Sequence, residues 1–446
     1  MADGSSAFRI PQVDWAQRQR QYQQASLRIP FGLAVAGLLL YTLVSDNLLV
    51  SIGIPYNAPS GSFLFKLHPG TYLITLGFLL LLVRDHPRRM APRLWATAAA
   101  ALFLAGTILG VMLYTVVRFG PSGNAFFIDT LLAPALLAMV LLMGPLEWRR
   151  WIFRILVALL ALNALIGIGE ALFEERLTPY LAGDQPIIEE FFRATALGGH
   201  PLTNALRTAT VLIACLILPY RWLLILIPLF VIALLAFGGR TALATGVLLL
   251  FGWSVYYFFR GIVVRAFDVR LVFGLLLMAL LLAGAITGLT VSLELGERIF
   301  ANLSWDSSAQ SRLLIFRVFD YFDLDDWLWG MGPAGISEIL ERLKGLTTLT
   351  DFENFWILLL MQVGLAWFML ISIALLGFIA SLVWRAPPAL KLSAVSFLLI
   401  ASSNNSLASK SQTLAILAAL LIGGAAEAAM AAQTPSLARY PDSRRG

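Results

Sequence analysis

Few residues of this chain could do chemistry, and their types narrow what that chemistry is. The single cysteine, Cys215, rules out an intramolecular disulfide and any cysteine-based metal site. Three histidines, His68, His86 and His200, argue against a metal held by histidine alone. The acidic run Asp323–Leu324–Asp325–Asp326 lacks the EF-hand spacing and reads as a solvated turn, so no metal and no cofactor is expected. What remains is a set of charges at the ends of long apolar runs: Asp46, Arg118, Asp129, Glu170, Arg207, Arg240, Glu353 and Lys410. Each sits within about two helical turns of the end of its run that the orientation below makes non-cytoplasmic, and none falls near the middle. Transporters and proton pumps place ionisable groups at mid-membrane. An inert middle with a charged mouth points instead to a site at one surface, reached by a substrate that is part lipid and part water-soluble. Long side chains reaching from helix ends to the interface, or plain ion pairs, account for any one of these residues as well as a site does; the group favours a site.

The elements that must position these residues are membrane spans. The chain has 446 residues, 59% hydrophobic and 13% charged, with mean hydropathy +0.81. Soluble domains carry about 25% charge. Half of that cannot cover a soluble surface of this size, so the chain is expected to be an integral membrane protein, all-α and polytopic. A span needs roughly 20 mostly apolar residues. Twelve runs qualify, at 31–50, 69–83, 94–117, 126–144, 151–170, 203–219, 222–237, 240–259, 271–291, 353–383, 389–404 and 410–432. The runs 69–83 and 222–237 are short, and 389–404 ends in the polar Ser402–Ser403–Asn404–Asn405. Residues 1–30 are polar, so no cleavable signal peptide is expected. The resulting organisation is a tail over 1–30, nine spans over 31–291 with an outer loop at 171–202, a large outer loop over 292–352, three spans over 353–432, and a tail over 433–446.

Basic residues set the orientation, because cytoplasmic loops are enriched in Lys and Arg. An even number of spans puts both termini on one side. Taking that side as cytoplasmic gives it 20 of the 32 basic residues, in the tails and in short loops such as Arg84–Arg93 and Arg149–Arg154. The long outer segments are rich in Asp and Glu. The net charge of +6 therefore records topology rather than a nucleic-acid partner. Within the outer loop, Ser311–Phe322 has an amphipathic pattern, with Leu314, Ile315, Val318, Phe319 and Phe322 apolar. Trp329–Gly330–Met331–Gly332–Pro333 reads as a tight turn opening a helix over 334–344.

Four segments then line up in order. They are Arg193–Leu202, containing Gly198–Gly199–His200–Pro201; Gly238–Gly239–Arg240–Thr241–Ala242–Leu243; Ser308–Arg312 with Trp329–Pro333 after it; and Glu353–Asn354–Phe355–Trp356 with Gly364 further on. In order, spacing and common outer-face position this set resembles the O-antigen ligase and Wzy-type polymerase superfamily of bacterial surface-glycan assembly. The resemblance covers roughly residues 190–380, the twelve-span layout and the late outer loop.

That resemblance implies a GT-C-like fold in the inner membrane, with the active site facing the periplasm and capped by the outer loop. It implies a donor glycan on undecaprenyl diphosphate, a glycan or lipid A-core acceptor, and inversion at the anomeric centre without nucleotide sugar or metal. A chain-length regulator is a further partner it brings into view. The family's two diphosphate arginines map onto Arg240 and Arg312, with Arg193 and Arg207 as secondary contacts. The position where ligases place a histidine holds Glu353 here, followed by Asn354, which tilts the reading toward the polymerase. A carboxylate at the membrane edge is partly desolvated and hence more basic, which suits a base for an acceptor hydroxyl. His200 is the rival base; its plainer role is to cap the helix starting near Pro201. Arg207, inside a span, must find an anion, and Glu170 or Asp129 is the structural partner expected for it. The alternatives are a ligase delivering finished glycan to lipid A-core and a transporter of the same lipid-linked glycans, which would need a polar path through the membrane middle.

Overall fold

The computed structural model describes residues 15–56, 62–84, 87–121, 123–182, 185–186, 192–264, 315–344, 354–403, 407 and 410–433. In chain order their helices are α1 (Trp15–Leu43), α2 (Asp46–Ser51), α3 (Pro69–Arg84), α4 (Pro87–Phe119), α5 (Asn124–Met143), α6 (Leu146–Phe173), α7 (Pro201–Ala214), α8 (Tyr220–Ala236), α9 (Arg240–Val264), α10 (Leu324–Trp329), α11 (Gly332–Lys344), α12 (Phe355–Val383), α13 (Pro388–Ser402) and α14 (Thr413–Gln433). A bilayer core has no water to satisfy backbone polar groups, so long apolar runs close their hydrogen bonds internally as helices. Seven helices are long and apolar enough to cross a membrane; they lie in α1, α4, α5, α6, α9, α12 and α14. The chain is a multi-pass, all-helical membrane protein. Its one described ladder is two residues long, Leu181–Ala182 against Gln185–Pro186.

Eleven of the twelve predicted runs fall on these helices, and 271–291 lies outside the described residues. Four of the eleven, α3, α7, α8 and α13, are apolar but shorter than the other seven. Three local expectations need correction. The run 31–50 is not one helix. It stops at Leu43, and Ser45 starts a separate helix by accepting from the Leu48 N–H at 3.1 Å, which takes Asp46 out of the span. Asp323–Asp326 is largely exposed, as the sequence reading has it, but forms the start of α10 rather than a turn. Asp323 accepts from the Asp326 N–H, and the Asp326 side chain accepts from the Asp323 N–H, a reciprocal capping box. Of the amphipathic stretch 311–322, Ile315–Tyr321 forms a 3₁₀ rather than an α-helix, with Val318 buried as the pattern required.

α5 and α14 form the centre: 78% and 72% of their apolar windows are buried, against 22% for α9. α14 packs on α6 and α5, α13 on α7, and α12 on α4. Between apolar helices in lipid, close backbone approach replaces the hydrophobic drive. α1 and α3 show how near that approach is, since a Cβ on Gly37 would lie 2.6 Å from the Gly70 carbonyl oxygen.

The alternating helix directions gather two ends. One holds the starts of α3, α7, α9, α12 and α14 and the ends of α1, α4, α6 and α8. At the other, Arg84 reaches the Ser26 carbonyl at 3.5 Å, and Arg150 and Arg154 bind Glu427. Arg84, Arg150 and Arg154, three of the residues that the orientation reading assigned to one side, therefore share that second end.

Candidate active site

The segment 192–200 enters the first end against three buried polar side chains. Glu170, near the end of α6, accepts from the backbone N–H groups of Leu177 (2.7 Å), Thr195 (2.7 Å) and Ala196 (2.8 Å). Asn163, two turns before Glu170 on the same buried face, accepts from the Leu197 N–H at 3.0 Å and donates to Asn204 Oδ1 at 3.1 Å. Asn204 in turn donates to the Thr195 carbonyl. These bonds hold Ala196 at φ 37°, a conformation that L residues avoid and that persists only when its surroundings over-determine it. From α2, the Asn47 side chain donates to the Gly199 carbonyl at 2.7 Å.

The segment delivers His200 to the start of α7. Its Nδ1 accepts from the Leu202 N–H at 3.2 Å, and its Nε2 lies 3.2 Å from the Tyr180 hydroxyl. Nδ1 is therefore unprotonated and Nε2 carries the hydrogen, so the ring is neutral. Burial, with the nearby charge of Arg193 behind it, pushes its pKa down to about 4. The capping role expected for His200 is the one it has.

Arg193 lies beside the next motif. Gly238, at φ 64°, is so close that a Cβ there would meet the Arg193 side chain at 3.1 Å. The Ala194 N–H donates to the Ala236 carbonyl at 3.1 Å. Gly239 packs on Ala205 of α7, and Arg240 follows as the first residue of α9, partly buried. The first two motifs of the sequence thus pack directly on each other.

Arg207 is 4% exposed. Neither anticipated partner reaches it: Glu170 is taken by backbone N–H groups, and Asp129 by Tyr56, His68 and Thr71. Its Nη2 instead meets Gln412 Oε1 at 3.5 Å, and its Nε has no acceptor among the described residues. Gln412 donates to the Tyr56 hydroxyl (3.1 Å), which donates to Asp129 Oδ2 (2.9 Å). The Lys410 ammonium lies 3.7 Å from the Tyr56 ring centroid and donates to the Tyr56 carbonyl. A small cleft of about 40 Å³, lined by Asp46, Gly198, His200, Thr203, Lys410, Ser411 and Gln412, opens among these groups. Burial raises the pKa of Asp46 and lowers that of Lys410 to about 8, although each feels the other's charge.

The other two motifs meet as well. α12 is broken at Gly364 (φ 74°, ψ 172°), and Gly330 (φ 77°) fits into the break. A Cβ on Gly330 would lie 2.6 Å from the Gly364 nitrogen, and the Met331 N–H donates to the Met361 carbonyl at 2.8 Å. Asn354 caps α12, accepting from Trp356 (3.0 Å) and Ile357 (3.1 Å), and Trp356 Nε1 donates to Ser402 at 2.8 Å. α10 and α11 are thereby fixed over this end, with Arg118 of α4 ion-paired to Asp325. Glu353 and Arg312 lie outside the described residues.

His200, Arg193, Arg207 and Arg240 come to one end of the bundle, with Asp46, Asp129, Glu170 and Lys410 around them. Sequence reasoning missed Gln412, Tyr56, Asn163 and Asn204. A lone Asn inside the apolar run 151–170 was the available signal for Asn163; nothing local marks Tyr56, whose partners lie far along the chain. No protein-family model matches the chain, and a search of curated proteins finds no match.

Proposed function

We propose that the chain is a periplasmic-face glycosyltransferase that joins undecaprenyl-diphosphate-linked repeat units into O-antigen or exopolysaccharide. It works as a twelve-span, GT-C-like protein of the bacterial inner membrane with both termini in the cytoplasm. The observation that carries this reading is the gathering of fixed cations, Arg193, Arg207 and Arg240, at the mouth of one end of an apolar bundle, beside a cleft that also holds a carboxylate.

A lipid diphosphate leaving group gains negative charge as the sugar C1–O bond breaks. Guanidinium forks stabilise that charge bidentately where little water competes. Arg240 supports the role by its position. A cation at a helix N-terminus opposes the macrodipole, so α9 gains nothing from it, while an anion there would be favoured by both. Arg312 is the second diphosphate ligand, and Arg193 and Arg207 are secondary contacts. The acceptor hydroxyl attacks C1 as Glu353 takes its proton, giving inversion. Of the two candidate bases, His200 is the weaker, because both its ring nitrogens are engaged in capping and in the Tyr180 contact.

The reading is tested by complementing a surface-glycan mutant with wild type, Arg240→Ala, Arg312→Ala and Glu353→Gln, and running gels of lipopolysaccharide and of lipid-linked polymer. Core carrying one repeat unit in the variants, with long chains restored by wild type, supports the polymerase. Long polymer stranded on the carrier with bare core would assign a ligase. Normal glycan from all three variants at normal expression contradicts the site.

A further inference from the structure

The end of the bundle away from the cleft carries a second constellation, independent of glycosyl transfer. Arg150 and Arg154 of α6 both direct Nε to the same Glu427 oxygen at 2.9 Å, and their Nη2 atoms reach its other oxygen at 3.4 and 3.0 Å. One carboxylate thus serves two guanidiniums that remain 30% and 41% exposed. Arg149 precedes them on the inward face of the helix, with its Nε buried and without an acceptor among the described residues. Glu147, exposed on the same turn, pairs with none of the three. Arg149 and Arg150 stand in and just after the first turn of a 28-residue helix, where the macrodipole disfavours them, and Arg154 follows one turn further on. The Arg154 guanidinium lies 5.7 Å from the centroid of the exposed Trp151 ring. From Trp151 the exposed face of α6 continues through Ile155, Ala158, Leu162 and Leu165, one apolar stripe at helical spacing.

We propose that this face of α6 is a binding site for an anionic phospholipid. Its phosphodiester sits on Arg150 and Arg154, and an acyl chain lies along the stripe below Trp151. Guanidinium forks match phosphate oxygens in geometry as well as charge. The excess positive charge selects a headgroup without a compensating ammonium, and the contiguous stripe selects a lipid over free phosphate.

The test uses delipidated, detergent-solubilised full-length protein and native mass spectrometry, with phosphatidylglycerol, phosphatidylcholine and inorganic phosphate titrated separately. Phosphatidylglycerol should bind about ten-fold more tightly than phosphatidylcholine, and Arg150→Gln and Arg154→Gln should each weaken it about five-fold. Glu427→Gln keeps the shape but frees both forks, so it should tighten phosphatidylglycerol binding; this variant decides the matter should the arginine variants not fold. Equal binding of the two lipids, saturable binding of phosphate as tight as that of phosphatidylglycerol, or no gain in Glu427→Gln would each overturn the proposal.

Discussion

Asp129 shows how charge at the mouth of this bundle is held. It accepts from the Tyr56 hydroxyl at 2.9 Å, the Thr71 hydroxyl at 2.6 Å and the His68 N–H at 3.1 Å, all buried. Orphaning a buried donor costs about 1–3 kcal/mol, so Asp129→Ala should lower stability by roughly 3 kcal/mol or more. The thermal midpoint of purified protein in detergent checks this, and Asp129→Asn should fall between the two. The buried histidines give a pH dependence. His68 and His200 both have their pKa lowered from 6.5 to about 4, chiefly by burial. Between those values the unfolded chain binds more protons than the folded one, so stability falls as pH drops from about 6.5 toward 4. His200→Asn keeps a good cap and removes one titrating ring, so the difference in thermal midpoint between pH 7.5 and pH 5 should shrink. At this scale residue type and position mark which polar side chains lie at the helix ends, and less often whom they meet. Arg207 illustrates the limit: Gln412 lies 205 residues away, and only packing of α7 against the start of α14 brings the two together.

At the scale of elements, the glycines of the motifs do more than permit turns. Gly330 and Gly364 face each other backbone to backbone, which fixes α10 and α11 on the broken α12. An alanine at 364 would combine a disfavoured positive φ with a backbone collision. Gly364→Ala should therefore lose about 2 kcal/mol or more and expose the segment 315–344 to protease, with little change in the α1–α3 pair. Resistance equal to wild type would mean that the contact does not hold the loop. Helix positions were legible because span length and hydropathy fix them independently of partners. The boundary at Leu43 and the α10 start were not, because each depends on a side chain capping its own backbone: Ser45 and Asp323 look like loop residues until the N–H they satisfy is known. The meeting of the motifs in pairs was hidden for the same reason, since the glycines that allow it record nothing about what approaches them.

Among the described residues the molecule is polarised: cations, buried carboxylates and a small cleft gather at one end, and arginines with Glu427 lie at the other. This division should appear in topology. With single cysteines introduced for labelling, a membrane-impermeant maleimide should reach Ser337→Cys from the periplasm and Glu147→Cys only after lysis. Cys215, buried within the bundle, should stay silent in both. Labelling of position 147 from the periplasm would invert the orientation and place the cleft on the cytoplasmic side. The central claim, that the cationic end transfers a glycan from a lipid diphosphate, is tested most directly with purified protein in nanodiscs and a labelled polyprenyl-diphosphate oligosaccharide. Wild type should lengthen the glycan and release polyprenyl diphosphate, and Arg240→Ala and Glu353→Gln should each reduce the rate by roughly 100-fold or more. Unchanged turnover in both variants, or none in a folded wild type supplied with donor and acceptor, would contradict it.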